Sequence, residues 1–202
     1  HHQNKILGAN GVISLSVPTH TFRGRMNTLI NEVEIDDSKK WRYKHLQSIK
    51  QSYGKAPYYD NIYPHIQSII SSDIKNLSEM NIELIKLFSS MLSLDTNFYT
   101  ASQMENLTED KVQALANFCQ LQQCNSYYSP AGSLNYLGTA VSKKIFQSAN
   151  ITIYFQQFKL SNYPQKQKEF VPFMSILDAL MYCGAEETRN IIEKDFHIVK
   201  LN

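Results

Sequence analysis

Cysteine is scarce in this 202-residue chain: there are three, Cys119, Cys124 and Cys183, an odd number with no CxxC spacing. That argues against a disulfide framework and for a reducing compartment, the cytoplasm. No apolar run approaches the ~18–20 residues of a membrane span. The start, HHQNKILGANG, lacks the charged region and apolar core of a signal peptide. It also lacks Met, so the expectation is a chain that begins inside a longer gene product or follows a tag remnant carrying His1 and His2. An excess of one charge is missing too. Lys and Arg number 20 against 18 Asp and Glu, a net +2 that is scattered rather than striped. Nucleic acid and anionic membranes are thereby poor partners.

Several chemistries lack their motif. The six His (His1, His2, His20, His45, His65 and His197) show no HExxH or paired spacing, so no metal site is expected. No GxSxG elbow exists for a serine hydrolase, no GxGxxG or P-loop for a nucleotide, and no cofactor is implied. Cys183 lies on an apolar helix and reads as a core thiol. Sequons occur at Asn76, Asn106 and Asn150, but Ser78 and Thr108 in two of them read as helix N-caps, which argues against glycosylation.

What is present is a globular composition, 43% apolar and 19% charged. The length fits one domain, 1–202, able to bury about 70% of its unfolded surface. Ala9-Asn10-Gly11 is a turn signal before an alternating strand, Val12–Val17. A polar loop with Arg23, Gly24 and Arg25 follows. Ile30–Ile35 reads as a second strand, its Glu32 and Glu34, with Asp36 and Asp37, forming a solvated face. Ser38 is placed as the cap of a helix to Tyr53, with Trp41, His45, Ile49 and Tyr53 at four-residue spacing. Helices are predicted over 60–73, with Ile62, Ile66, Ile69 and Ile70 inward, and over 78–94, striped by Ile82, Leu84, Ile85, Phe88, Met91 and Leu92.

From Thr96 the rhythm changes. Predicted strands at Asn97–Ser102, Ser126–Ser129 and Asn150–Phe158 alternate with helices. One is capped at Thr108. The next begins at Gly132-Ser133, with Leu134, Leu137, Val141 and Ile145 on its face. The third, Ser175–Cys183, is stopped by Gly184 before a shorter helix over 185–195. That alternation predicts βαβ units, hence an α/β fold of three layers with a mostly parallel sheet and flanking helices, plus a helical insertion around residues 38–94.

Ligands of open parallel sheets bind beyond the carboxyl ends of the strands. Two junctions qualify. At Tyr127–Ser133 a strand turns into a helix through small residues, and free N–H groups at that helix start suit an anion. The alternative is Ser133 as an ordinary cap. The second junction runs from Gln156-Gln157 through Tyr163-Pro164-Gln165 to Ser175, where amides and a phenol suit sugar hydroxyls or a base edge. Asp178, one turn into its helix, is a proton acceptor if it faces the site and structural if it faces a satisfying partner. His45, one turn after Trp41, lines a pocket or packs in the core.

Taken in order, several segments resemble the WbqC-like protein family. They are Gln3-Asn4-Lys5-Ile6, Gly8-Ala9-Asn10-Gly11 with Leu15-Ser16-Val17-Pro18, Trp41 with Lys44-His45, YGKAPYY at Tyr53–Tyr59, YYSPAGSLNYL at Tyr127–Leu137, and Tyr163-Pro164-Gln165 with FVPFMSILDALMYCG. The resemblance implies a bacterial, cytoplasmic protein of O-antigen or other surface-polysaccharide clusters, with a glycine- or aminoacyl-transfer role. It implies site residues at Asn4, Lys5, His45, Ser129, Gly132, Tyr136, Tyr163, Gln165, Ser175 and Asp178. Members of the family usually carry a further N-terminal strand with a Gln-Pro…Pro…Tyr motif, absent here. Their Arg-Asn-Arg appears as Gln3-Asn4-Lys5, which removes a guanidinium. Their Ser-Gly step is interrupted as Ser129-Pro130-Ala131-Gly132.

The expectation is therefore a transferase acting on a small-molecule or sugar-nucleotide substrate, or on a lipid-linked sugar. Ser129, Gly132 and Ser133 would hold an anionic group, Tyr163, Gln165 and Gln156 would read hydroxyls, and Asp178 or His45 would move the proton. The competing expectation is a non-catalytic binding or accessory module that organises a biosynthetic assembly.

Overall fold

A computed structural model describes residues 2–20, 28–104, 108 and 110–200. The Arg23–Arg25 loop, His1 and the Asn106 sequon lie outside the described residues. Within an α/β class of helices and strands, the contacts divide the chain into two compact units. The first is His1–Thr96 with Asn162–Ile191, and the second is Asn97–Ser161 with Ile192–Asn202.

The first unit opens with an antiparallel hairpin, β1 (Gln3–Gly8) and β2 (Gly11–Ser16), in the register Gln3↔Ser16 to Gly8↔Gly11. The two-residue Ala9-Asn10 turn works because Gly11 adopts a φ of 118°, which a side chain would resist. Only Ile6, Leu7 and Gly8 of β1 are buried, so the hairpin contributes one apolar end to the core. Three helices follow: α1 (Trp41–Tyr53), α2 (Tyr59–Ser71) and α3 (Leu77–Met91). The four-residue spacing holds on α1, where Trp41, His45, Ile49 and Tyr53 are all buried, and on α2, where Ile62, Ile66 and Ile70 are buried.

Other expectations for this unit need correction. Ile30–Ile35 is not a strand but a 3-10 turn at Ile30–Glu32 followed by single bridges, Glu34 to Asn76 and Ile35 to Thr19. Ser38 does not cap α1. It donates its N–H and hydroxyl to Asp36 in a 3-10 turn, and α1 starts after Lys40 at φ 50°. Ser78 lies inside α3, whose cap is Asn76; its Oδ1 accepts from the N–H groups of Ser78 and Glu79. The Asn76 amide also donates to the Asn31 carbonyl, so the sequon nitrogen is already in use. Ile85 is exposed, because the buried side of α3 is Leu77 and Met80.

Helix α7 (Ile176–Asp195), which belongs to this unit as far as Ile191, is broken at Gly184, where φ 76° and ψ 177° are open essentially to glycine alone. A Cβ there would meet the Tyr58 ring at 2.7 Å. Thr188 restores one bond across the break by donating its hydroxyl to the Gly184 carbonyl at 2.6 Å. The stop expected at Gly184 is thus present, with a second helical segment after it.

The second unit contains α4 (Lys111–Leu121), β3 (Ser126–Pro130), α5 (Leu134–Leu137), α6 (Ala140–Ser148), β4 (Thr152–Phe158) and β5 (Phe196–Lys200). Its sheet, in the order β3-β4-β5, is mixed: β3 and β4 are parallel, β4 and β5 antiparallel. One parallel pair replaces the mostly parallel sheet expected, because Asn97–Ser102 forms loop and a 3-10 turn at Ala101–Gln103 instead of a strand. Ile153 and Phe155 of β4 pack with Ala116, Cys119, Leu137, Phe146 and Ile151 into this unit's core. Asp110, not Thr108, caps α4 by accepting from the Gln113 N–H. The helix expected from Gly132 is interrupted after Leu137, and Thr139 caps a new start. The break turns Val141 outward, 71% exposed, and puts Ser142 and Phe146 inward.

Candidate functional site

The first unit gathers seven of the expected residues: Asn4, Lys5, His45, Tyr163, Gln165, Ser175 and Asp178. Asp178 is fully buried. Its Oδ1 accepts from the Tyr53 hydroxyl at 2.7 Å, and its Oδ2 from the Gln165 amide at 2.8 Å and the Tyr163 hydroxyl at 3.1 Å. All three donors are neutral. The Tyr53 oxygen in turn accepts the Leu7 N–H at 3.1 Å, which ties β1 to α1 and α7 through one carboxylate. Burial and then the neighbouring Asp178 charge push both phenols well above the usual tyrosine range, so both remain protonated donors.

The loop between Tyr163 and Val171 is fastened around this carboxylate. Gln165 accepts the Val171 N–H and donates to the Val171 carbonyl. Lys166 donates to the Gln51 and Ser52 carbonyls at the end of α1, where a cation meets the negative pole of the helix. Gln167 donates to the Gly8 carbonyl, and Phe170 meets the Tyr163 ring edge-on. Ser175 N–H donates to the Lys5 carbonyl at 2.8 Å, joining the start of α7 to β1. The amide and phenol expected to read a ligand thus have internal partners.

Beside this hub lies a cavity of about 150 Å³, contained in the first unit. Asn4, His45 and Ser175 line it, together with Trp41, Ile49, Ile66, Met80 and Phe88. His45 bonds the Ser16 carbonyl through Nε2 at 3.1 Å and stands edge-on to Trp41. Burial lowers the His45 pKa further than the Ser16 bond raises it, so the ring is neutral at pH 7. A neutral ring bonding a carbonyl through Nε2 carries its proton there, which leaves Nδ1 as the basic nitrogen.

The other five residues, Ser129, Gly132, Ser133, Tyr136 and Gln156, belong to the second unit. Ser129 is buried beside Phe155 in the β3–β4 register, and Pro130 stands opposite Gln156. The helix after Ser133 has four residues and no side-chain cap, too short for the anion-binding N-terminus expected there. The Tyr136 ring carries Lys111 Nζ 4.1 Å from its centre, and its carbonyl accepts from the Ser142 hydroxyl. Two depressions in this unit, one beside Phe146 and Thr152 and one beside Gln113 and Ile145, are lined by none of the expected residues.

Sequence reasoning missed Tyr53 as the partner of Asp178. The available signal was a hydroxyl ending the Trp41, His45, Ile49 stripe on α1, which needs a buried acceptor. Among the described residues no cluster of three His, Cys, Asp or Glu forms a metal site. No helix among them is long and apolar enough to cross a membrane.

These residues define an α/β protein whose first unit holds a small cavity beside a buried carboxylate hub. The chain belongs to the WbqC-like protein family, whose profile matches residues 1–190. It is also similar to an uncharacterized protein of Mycobacterium tuberculosis, Rv1507c. The two are 28% identical over 187 residues, which cover 92% of this chain and 78% of that one. No solved structure matches.

Proposed function

We propose that the protein is a cytoplasmic transferase of surface-polysaccharide biosynthesis, moving an acyl or aminoacyl group, glycine among them, onto a nucleotide-linked or lipid-linked sugar. The observation that carries this reading is the convergence of Asn4, His45 and Ser175 on one cavity of the first unit. In the proposed reaction the sugar hydroxyl or amine attacks the acyl carbonyl. His45 Nδ1 takes the proton released, the new C–O or C–N bond forms, and the bond to the donor's leaving group breaks. Asn4 and Ser175 supply amide and hydroxyl groups that orient the acyl group. Asp178, satisfied by three neutral donors, acts as a positioning residue that holds β1, α1 and the 163–171 loop in register.

The test is to incubate the protein with a panel of nucleotide-sugars and acyl or aminoacyl donors and to follow the masses of the sugars. The reading requires a mass increase equal to the acyl group, lost in His45→Gln with substrate binding retained. Ligand binding without product across the panel would contradict it.

The second reading is a non-catalytic accessory protein, and the burial of Asp178 away from solvent favours it. On that reading His45→Gln leaves the surface-glycan phenotype of the source organism intact, whereas substitution of exposed Tyr43 or Tyr58 abolishes it.

A further inference from the structure

We infer that the cavity of the first unit takes an uncharged group with an apolar body and one polar end, of the size of a single ring or a short acyl chain. This deepens the proposed function and rests on its placement of the site in the first unit. The argument begins with which elements supply which wall. Ile66 and Ile70 come from α2, and Met80, Leu84 and Phe88 from α3. Asn81 of α3 also lines it, and the other polar groups gather on the opposite side, around the start of β1. Asn4 pairs with Leu15 there, Ser175 bonds the Lys5 carbonyl, and His45 bonds the Ser16 carbonyl, whose residue pairs with Gln3. The cavity therefore has an apolar side and a polar end.

Charge selects the class of ligand. Among the described lining residues there is no Lys, Arg, Asp or Glu. Of the cavity's two lining imidazoles, His45 is held neutral and already bonded, and His2 belongs to an exposed residue at the start of the chain. A phosphate or carboxylate entering here would lose its hydration and meet no guanidinium or ammonium to replace it. The polar end offers an amide, a hydroxyl and an imidazole nitrogen, which match an amide, ester or hydroxyl group. Size sets the other bound. An apolar cavity of about 150 Å³ holds a benzene-sized guest, so the group accommodated is one ring or a chain of about four to six carbons. A nucleotide or a whole sugar-nucleotide does not fit. Such a substrate presents only its transferred acyl group to this space.

The experiment uses the whole chain and two matched probe pairs, benzamide against benzoate and pentanamide against pentanoate, titrated by ligand-observed NMR at pH 7.5. Binding of both amides at millimolar concentration, at least about ten-fold tighter than their carboxylates, is the expected result. Leu84→Trp, which fills the apolar side, weakens amide binding at least ten-fold while its circular dichroism stays that of the parent. The inference is overturned if the carboxylates bind as tightly as the amides, if no amide binds below about 20 mM, or if a folded Leu84→Trp protein binds benzamide unchanged. Failure of this inference is separable from failure of the transferase reading. Amide binding without any product in the donor panel removes the reaction alone. Product made by a protein that prefers benzoate removes the cavity assignment alone.

Discussion

Two carboxylates of the first unit solve the same problem in opposite ways. Asp178 is sealed from water and held by two phenols and an amide, all neutral. Asp37 is partly exposed and held by charge. Arg42 Nε donates at 2.8 Å, Lys75 Nζ at 3.1 Å and the Trp41 indole at 2.9 Å, while Arg42 also donates to the Ile70 and Ile74 carbonyls. Salt acts on the second arrangement, whose partners are charged and partly exposed, and has little hold on the first, whose donors are neutral. The Asp178 hub fixes the elements around the cavity, and the Asp37 cluster pins the entry to α1 against the end of α2. A sequence reading that placed Asp36 and Asp37 on a solvated face saw the second acid's exposure but not its partners.

The largest expected effect comes from removing the buried acid. Asp178→Ala takes the acceptor from the buried Tyr53 hydroxyl and the half-buried Tyr163 hydroxyl, at about 1–3 kcal/mol each if neither finds another partner, while the Gln165 amide keeps the Val171 carbonyl. The net loss expected in urea unfolding is about 3–5 kcal/mol. Asp178→Asn keeps the shape but turns one acceptor into a donor facing donors, for a loss of about 2 kcal/mol. Tyr53→Phe follows, at about 1–3 kcal/mol, since it unpairs both Asp178 Oδ1 and the Leu7 N–H. Amide exchange at Leu7 then rises more than at Ile6, which separates this bond from general destabilisation. Gly184→Ala falls in the same range, about 1–3 kcal/mol, from its backbone conformation and the Tyr58 ring.

Asp37 sharpens the contrast from the other side. Burial raises its pKa, but the bonds from Arg42, Lys75 and Trp41 outweigh that and hold it at about 2, below its ordinary 3.8. A depressed carboxylate stabilises the fold above its unfolded pKa. That contribution is therefore lost as pH falls from about 4 through 2. Solvent screening limits it to about 1 kcal/mol. Asp37→Asn should flatten this part of the acid unfolding profile, and 0.5 M NaCl should reduce it in the parent but leave the Asp178→Asn deficit unchanged. The smallest effect is Lys75→Ala, which should barely move the urea midpoint, because its ammonium is largely exposed and shared with Asp73.

The sequence made the helices of the first unit legible because burial acts on a fixed period. Ile62, Ile66 and Ile70 could hardly face elsewhere. Caps were less legible. Asn76 and Ser78, like Asp110 and Thr108, are two good caps two residues apart, and only the chain's path chooses between them. Alternation misled at Ile30–Ile35, since a strand also needs a partner along its length and this segment finds only single bridges. Gly138-Thr139 restarted a helix and rotated its face, which exposed Val141. The candidate site was legible as residue types and illegible as geometry. Tyr53 and Asp178 are 125 positions apart, and no local pattern brings them together. The expectation of Gln165 and Tyr163 as ligand readers failed to anticipate how fully the loop they belong to would use them.

The central claim, that the functional cavity lies in the first unit, is tested most directly by methyl NMR of the whole chain titrated with benzamide. The account predicts shifts confined to the methyl groups of Ile49, Ile66 and Leu84, with Ile153 and Leu137 of the second unit unmoved. Shifts confined to Ile153 and Leu137, or none in either unit, would contradict it.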